Sequence, residues 1–209
     1  MKVMLVPKLV NIALSFCKRY GIEESHAVGH GMNVLHLSRN IMHVEVERYP
    51  ILSKQRDIIY TSALLHDVCD HKYVDENRVW DEVKKELKEQ RLLTDTDIDV
   101  CTEIVHTMSY SKVKENGFPK MGEYQMAYHI VREADLLAAY DVDRAILYNL
   151  YATNDFRDSI GNTEKILNNR VYRHMADGLL VTDYSKKMHN TLVQKCKYRY
   201  KDWCKIMDV

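Results

Sequence analysis

The chain has 209 residues, with 30 Lys+Arg against 30 Asp+Glu and a formal net charge of zero, which argues against a protein that grips nucleic acid or an anionic membrane through a large positive excess. Seven glycines and three prolines are too few for a β-sandwich, a collagen-like repeat or a flexible linker array. With 46% hydrophobic residues, the composition fits a helical globule burying a substantial core as one domain over 1–209.

Leu9, Ile12, Ala13 and Phe16 follow Pro7 at helical spacing, and Gly21 supplies a stop. A second helix is predicted from about Ser25 through Val34, Leu37, Ile41 and Val44 towards Pro50, and a third from Lys54 through Ile58, Ile59, Ala63, Leu64 and Leu65. Residues 75–90 repeat Val79, Val83 and Leu87 on one face among charges, the pattern of an amphipathic surface helix. Thr94, with Asp97 three residues on, caps a fifth helix whose inner face is Ile98, Cys101, Val105 and Met108. Residues 112–122, with Pro119 and two glycines, read as a loop, and 123–150 as one long apolar-periodic run through Ile130, Ala134 and Leu137. Two further helices, over 163–175 and 183–207, complete the chain. The expected fold class is all-α, a single-domain helical bundle.

Five cysteines (Cys17, Cys69, Cys101, Cys196, Cys204) form no CxxC pair and no zinc-finger spacing, as expected of reduced thiols in a cytoplasmic protein. The apolar start is interrupted by Pro7 and Lys8 and lacks a small-residue cleavage site, which argues against a signal peptide. No apolar run reaches the length of about 18 residues that a membrane span needs. Residues 70–99 carry ten acidic and six basic side chains, and 183–209 seven basic and three acidic. The basic stretch interleaves Tyr198, Tyr200 and Trp203 with lysines, but Met188, Leu192, Cys196, Trp203 and Met207 mark a packing stripe, so a solvated helix face is preferred to a nucleic-acid surface. A homodimer is allowed.

Chemistry concentrates in four groups: His26 and His30 four apart, His66 next to Asp67, His106, and Asp135 inside the apolar segment 132–140. On a helix, positions 26 and 30 share a face, so one can bind a metal while the other stands near a substrate. Adjacent positions 66 and 67 project about 100° apart, which suits neighbouring ligands of an octahedral ion better than a tetrahedral structural zinc. A carboxylate in an apolar helix, as at Asp67 and Asp135, is unfavourable without a cation or several donors.

This ordered set resembles the HD-domain metal-dependent phosphohydrolases, whose signature is His, then His-Asp, then a distant Asp: here Ser-His-Ala-Val-Gly-His30, Leu-Leu-His66-Asp67 and Glu-Ala-Asp135. It is most similar to the small bacterial and viral, nucleotide pyrophosphohydrolase-like branch, through Asp70-His-Lys-Tyr73 and His106-Thr-Met-Ser-Tyr-Ser-Lys112. The resemblance covers about residues 20–150 and, more weakly, the C-terminal helices. It implies an HD-type bundle in which His30, His66, Asp67 and Asp135 hold one divalent ion. Two imidazoles and two carboxylates suit Mn²⁺ first, with Fe²⁺, Co²⁺ and Ni²⁺ close behind and Mg²⁺ or Zn²⁺ less favoured. His106 could add a second metal; one metal, with His106 lining the pocket, is preferred.

Asp70 lies four positions after His66, one turn along, where its carboxylate can orient or deprotonate the attacking water. The related nucleotidases and (p)ppGpp hydrolases usually carry the longer Glu there. The (p)ppGpp hydrolases also have Asp at the next position, where this chain has His71, and Ala27 stands where small HD hydrolases often have Asp. Lys72, Lys112 and Arg39 are the candidate phosphate contacts, and His26 the donor to a phosphate oxygen or leaving group. The expected activity is hydrolysis of a nucleoside or deoxynucleoside triphosphate to monophosphate and pyrophosphate. The alternatives are a 5'-nucleotidase, a (p)ppGpp-type hydrolase, or a non-enzymatic nucleotide-binding or interaction module.

Overall fold

A computed structural model describes residues 4–22, 28–69 and 74–208. Among them all regular structure is helical: α1 (Leu5–Tyr20), α2 (Val28–Glu45), α3 (Leu52–Leu65), α4 (Glu76–Glu89), α5 (Asp95–Thr107), α6 (Tyr110–Asn116), α7 (Gln125–Ala138), α8 (Val142–Thr153), α9 (Phe156–Asn169) and α10 (Asp183–Ile206). The all-α expectation therefore holds for the described residues. None of their helices is long and apolar enough to cross a membrane.

Local signals set many of the ends. Gly21 closes α1 in the left-handed region at φ 64°, and its N–H returns to the Cys17 carbonyl. Thr94 and Asp97 form a reciprocal capping box at the start of α5, a device worth about 1 kcal/mol. Asp75 caps α4, whose apolar stripe Val79, Trp80, Val83 and Leu87 is buried.

Three expectations are corrected. The run over 123–150 is two helices, because Asp141 accepts from the Arg144 N–H and starts α8 afresh. Part of the expected loop over 112–122 is helical, since Ser109 caps the short α6. The helix expected over 163–175 starts earlier, at Phe156 behind the Asp155 cap, and ends at Asn169.

Helix α7 is buried on nearly every side, from Ala127 to Ala138, as a central helix must be. It packs with α2 and α3, and α10 lies against α2 and α7. The chain leading into α10 is pinned by two buried carboxylates: Glu45 accepts the Asp183 N–H at 3.0 Å, and Glu133 accepts from the Val181 N–H at 2.7 Å and the Thr182 hydroxyl at 2.6 Å. The main apolar cluster runs from Leu9 on α1 to Cys196 on α10, so the C-terminal helices share the core of the site-bearing ones.

Candidate metal centre

Helices α2, α3 and α7 each bring a ligand type to one point. His30 lies in the first turn of α2, His66 and Asp67 follow the last turn of α3, and Asp135 sits in the last turn of α7. Gly31 makes this convergence feasible. A β-carbon there would stand 2.8 Å from the Leu64 carbonyl oxygen, so only glycine lets α2 approach the end of α3 this closely.

The geometry is that of a donor cluster. Donor atoms of His30, His66 and Asp135 all lie within 4.8 Å of one another. His30 Nε2 is 3.2 Å from Asp135 Oδ1 and 3.4 Å from Asp67 Oδ2. His66 Nε2 is 3.3 Å from Asp67 Oδ1 and 3.6 Å from Asp135 Oδ1. The imidazoles meet edge to face with centroids 5.1 Å apart. His66 Nδ1 lies 2.9 Å from the Ala63 carbonyl; donating there, it leaves Nε2 turned to the carboxylates, where it is buried without a hydrogen bond of its own. That arrangement presents a lone pair, as a metal ligand must. The residues therefore could hold a metal ion through nitrogen and oxygen donors.

Electrostatics agree. Burial lowers the His30 pKa despite the Asp135 hydrogen bond and Asp67. Burial also opposes charge on His66, but Asp67 and Asp135 outweigh it and raise its pKa to about 9. Burial would raise Asp135, yet the two imidazoles hold it well below the usual carboxylate range. Two carboxylates thus demand positive charge at this point, and a proton on His66 supplies it where an ion does not.

His66, Asp67 and Asp135 of the cluster line a cavity of about 420 Å³ whose walls include Glu76, Met108, Tyr110, Lys112, Arg144, Tyr148 and Arg170. This size falls within the range of small-molecule sites. Of the residues singled out from sequence, His66, Asp67, Asp135 and Lys112 line it, and His30 is buried behind them. Lys112 is not a free cation: its Nζ donates to Glu76 at 3.0 and 3.3 Å. Arg39 is not brought to the cavity; it is exposed on α2, nine positions and about half a turn out of phase from His30. His106 packs against Trp80 at 6.0 Å, does not line the cavity, and among the described residues joins no second metal-capable group. His26, Asp70 and Lys72 lie outside the described residues. Arg144, Tyr148 and Arg170 were missed from sequence, since nothing local distinguishes them from surface residues; only the packing of α6, α8 and α9 gathers them.

No protein-family model matches the chain, and no curated protein matches it. A crystal structure of a Lactobacillus plantarum protein, a structural-genomics target, is similar over nearly the whole chain, with a TM-score of 0.70, 17% identity, and 99% and 98% of the two chains covered. At that identity the likeness shows a shared helical fold.

Proposed function

We propose that the protein is a metal-dependent phosphohydrolase of the HD-domain type that acts on nucleotides. The observation that carries this reading is the convergence of two imidazole Nε2 atoms and two carboxylates beside a cavity whose walls also include Lys112, Arg144 and Arg170. The cavity wall carries four carboxylates, Asp67, Glu76, Asp135 and Asp141, against Lys112, Arg144 and Arg170, with Lys112 held by Glu76. A cation at the His30, His66, Asp67 and Asp135 cluster offsets this excess and lets an anionic substrate enter beside Arg170.

His30, His66, Asp67 and Asp135 would hold the ion, Mn²⁺ by preference. When bound it supplies Lewis-acid polarisation of a phosphoryl oxygen and acidifies water. The chain's own residues do the rest. His66 is oriented by the Ala63 carbonyl. Tyr148, Tyr110 and Ala145 wall the cavity. From its spacing to His66, Asp70 accepts a proton as water attacks the α-phosphorus of a nucleoside triphosphate. The bond from that phosphorus to the bridging oxygen breaks, pyrophosphate departs with the electron pair, and His26 or solvent returns a proton to it.

The test is an assay of the purified protein with Mn²⁺ against nucleoside mono-, di- and triphosphates, with phosphate and pyrophosphate measured separately. Pyrophosphate with nucleoside monophosphate is the expected product pair. Release of free phosphate alone would replace triphosphate cleavage by a nucleotidase. Absence of turnover with every nucleotide would leave the non-enzymatic binding module.

A further inference from the structure

Among the basic side chains of the cavity wall, Arg170 stands apart. Lys112 is tied to Glu76, and elsewhere Arg132, Arg173 and Arg199 are tied to Glu133, Asp177 and Asp143. Arg170 lies instead over the ring of Tyr110, its guanidinium carbon 4.5 Å from the ring centroid, and among the described residues no carboxylate pairs with it. It ends α9, with backbone φ −129° and ψ −64°, where the helix dipole favours a cation. Stacking on an aromatic face fixes the guanidinium plane and leaves its edge N–H groups available for a bidentate anion.

The ring beneath it is itself held. Tyr110 lies 6.0 Å from the buried His174 ring, its hydroxyl donates to Asp177 at 3.4 Å, and it packs on the small cluster of Val113, Leu136, Leu179 and Leu180. The guanidinium is therefore a preset fork.

Arg170 and the metal centre line the same cavity. A substrate with one phosphate satisfies the metal end and leaves this fork without a partner. A substrate with a chain of phosphates satisfies both. We propose that Arg170, stacked on Tyr110, is a specificity-determining residue that binds a second anionic group of the substrate, a phosphate beyond the reacting one, so that the cavity selects polyphosphate chains over monophosphates. The identity of the reacting group rests on the phosphohydrolase reading; the anion site stands without it.

The experiment therefore has a binding arm and a turnover arm, both on the full chain. In the first, inorganic tripolyphosphate and inorganic phosphate are titrated calorimetrically into Mn²⁺-loaded protein, with the heat of Mn²⁺ binding to each anion subtracted from a protein-free titration. The wild type binds tripolyphosphate at least tenfold more tightly than phosphate; Arg170→Gln abolishes that preference, Arg170→Lys keeps part of it, and Tyr110→Leu weakens it. Lys187→Gln, at an exposed position on α10, controls for general loss of positive charge and leaves it unchanged. An Arg170→Gln protein that binds tripolyphosphate like the wild type overturns the inference, as does an equal loss in Lys187→Gln or a wild type without preference. In the second arm, with Mn²⁺, Arg170→Gln raises KM for a nucleoside triphosphate at least tenfold, changes kcat less, and leaves hydrolysis of p-nitrophenyl phosphate unaltered. Equal changes for both substrates overturn it. If neither substrate is hydrolysed, the phosphohydrolase reading fails while the titration still decides the anion site.

Discussion

Gly31 on α2 faces the carbonyl oxygen of Leu64 on α3 so closely that a β-carbon would stand 2.8 Å from it. The contact falls one residue after His30 and two before His66, so the spacing of the two metal-candidate histidines depends on a missing side chain. Gly31→Ala is expected to push the helices apart by a few tenths of an ångström or more. Overpacking of this kind costs about 1–3 kcal/mol, outweighing alanine's propensity gain of roughly 1 kcal/mol. Metal affinity should fall more steeply than stability, which parallel Mn²⁺ titration and chemical denaturation would reveal. Wild-type affinity in the alanine variant would refute the spacing argument.

Asp135 approaches both imidazoles, 3.2 Å from His30 and 3.6 Å from His66. Asp135→Asn keeps the shape and removes the charge. Bound Mn²⁺, measured by elemental analysis after gel filtration, should drop to background. An ion at 100 times its dissociation constant stabilises by about 2.7 kcal/mol, so a chelator should lower the wild-type Tm and leave that of Asp135→Asn unmoved.

The pH dependence of the ion-free protein follows from His66. Its folded pKa of about 9 exceeds the unfolded value of about 6.5. The folded state therefore binds more protons, and the stabilisation is complete below about pH 6.5 and lost as pH rises to about 9. The loss is on the order of 2–3 kcal/mol; the matching depression at Asp135 is the same interaction and is not added to it. Denaturation of chelated protein at pH 6 and 9 should show this loss, and Mn²⁺-saturated protein should lack it.

His174 has the opposite sign. Its ring is fully buried, and neither nitrogen has a hydrogen-bond partner among the described residues. Burial, with help from Arg170, lowers its pKa to about 3. The unfolded chain binds the extra proton, so stability declines as pH falls from about 6.5 towards 3. His174→Phe should preserve ring packing against Tyr140 and Tyr110, remove an unsatisfied polar group worth about 1–3 kcal/mol, and flatten the acid limb of the stability curve.

Glu133, fully buried, gathers the Val181 and Thr182 N–H groups, the Thr182 hydroxyl and Arg132. Glu133→Gln would leave Arg132 buried without its counter-charge, at a cost of about 3–5 kcal/mol. Denaturant titration should detect it, and limited proteolysis should cut near 178–183 first.

Legibility from sequence followed the range of the determining interaction. Gly21 and the Thr94–Asp97 box act within one turn and were readable. The break at Asp141 was hidden because Leu137, Ala138 and Tyr140 continue the apolar pattern through the turn, and only a side-chain cap reveals it. Asp67 and Asp135 were readable because carboxylates in apolar helical runs demand compensation, and the resemblance to the HD-domain motif joined His30 and His66 to them. Arg39, a candidate by motif proximity alone, points elsewhere.

Sequence by itself determined the helical class and the Gly21 and Thr94 helix ends, because periodicity and capping are local effects, and the motif resemblance singled out the four residues that converge as metal-ligand candidates. Tertiary structure decided that α2 meets α3 at Gly31, that Lys112 is occupied by Glu76, and that Arg144, Tyr148 and Arg170 share a cavity with His66, Asp67 and Asp135 of the candidate metal site. Those are pairings between segments far apart in the chain, set by which surfaces pack together, and no local pattern encodes them.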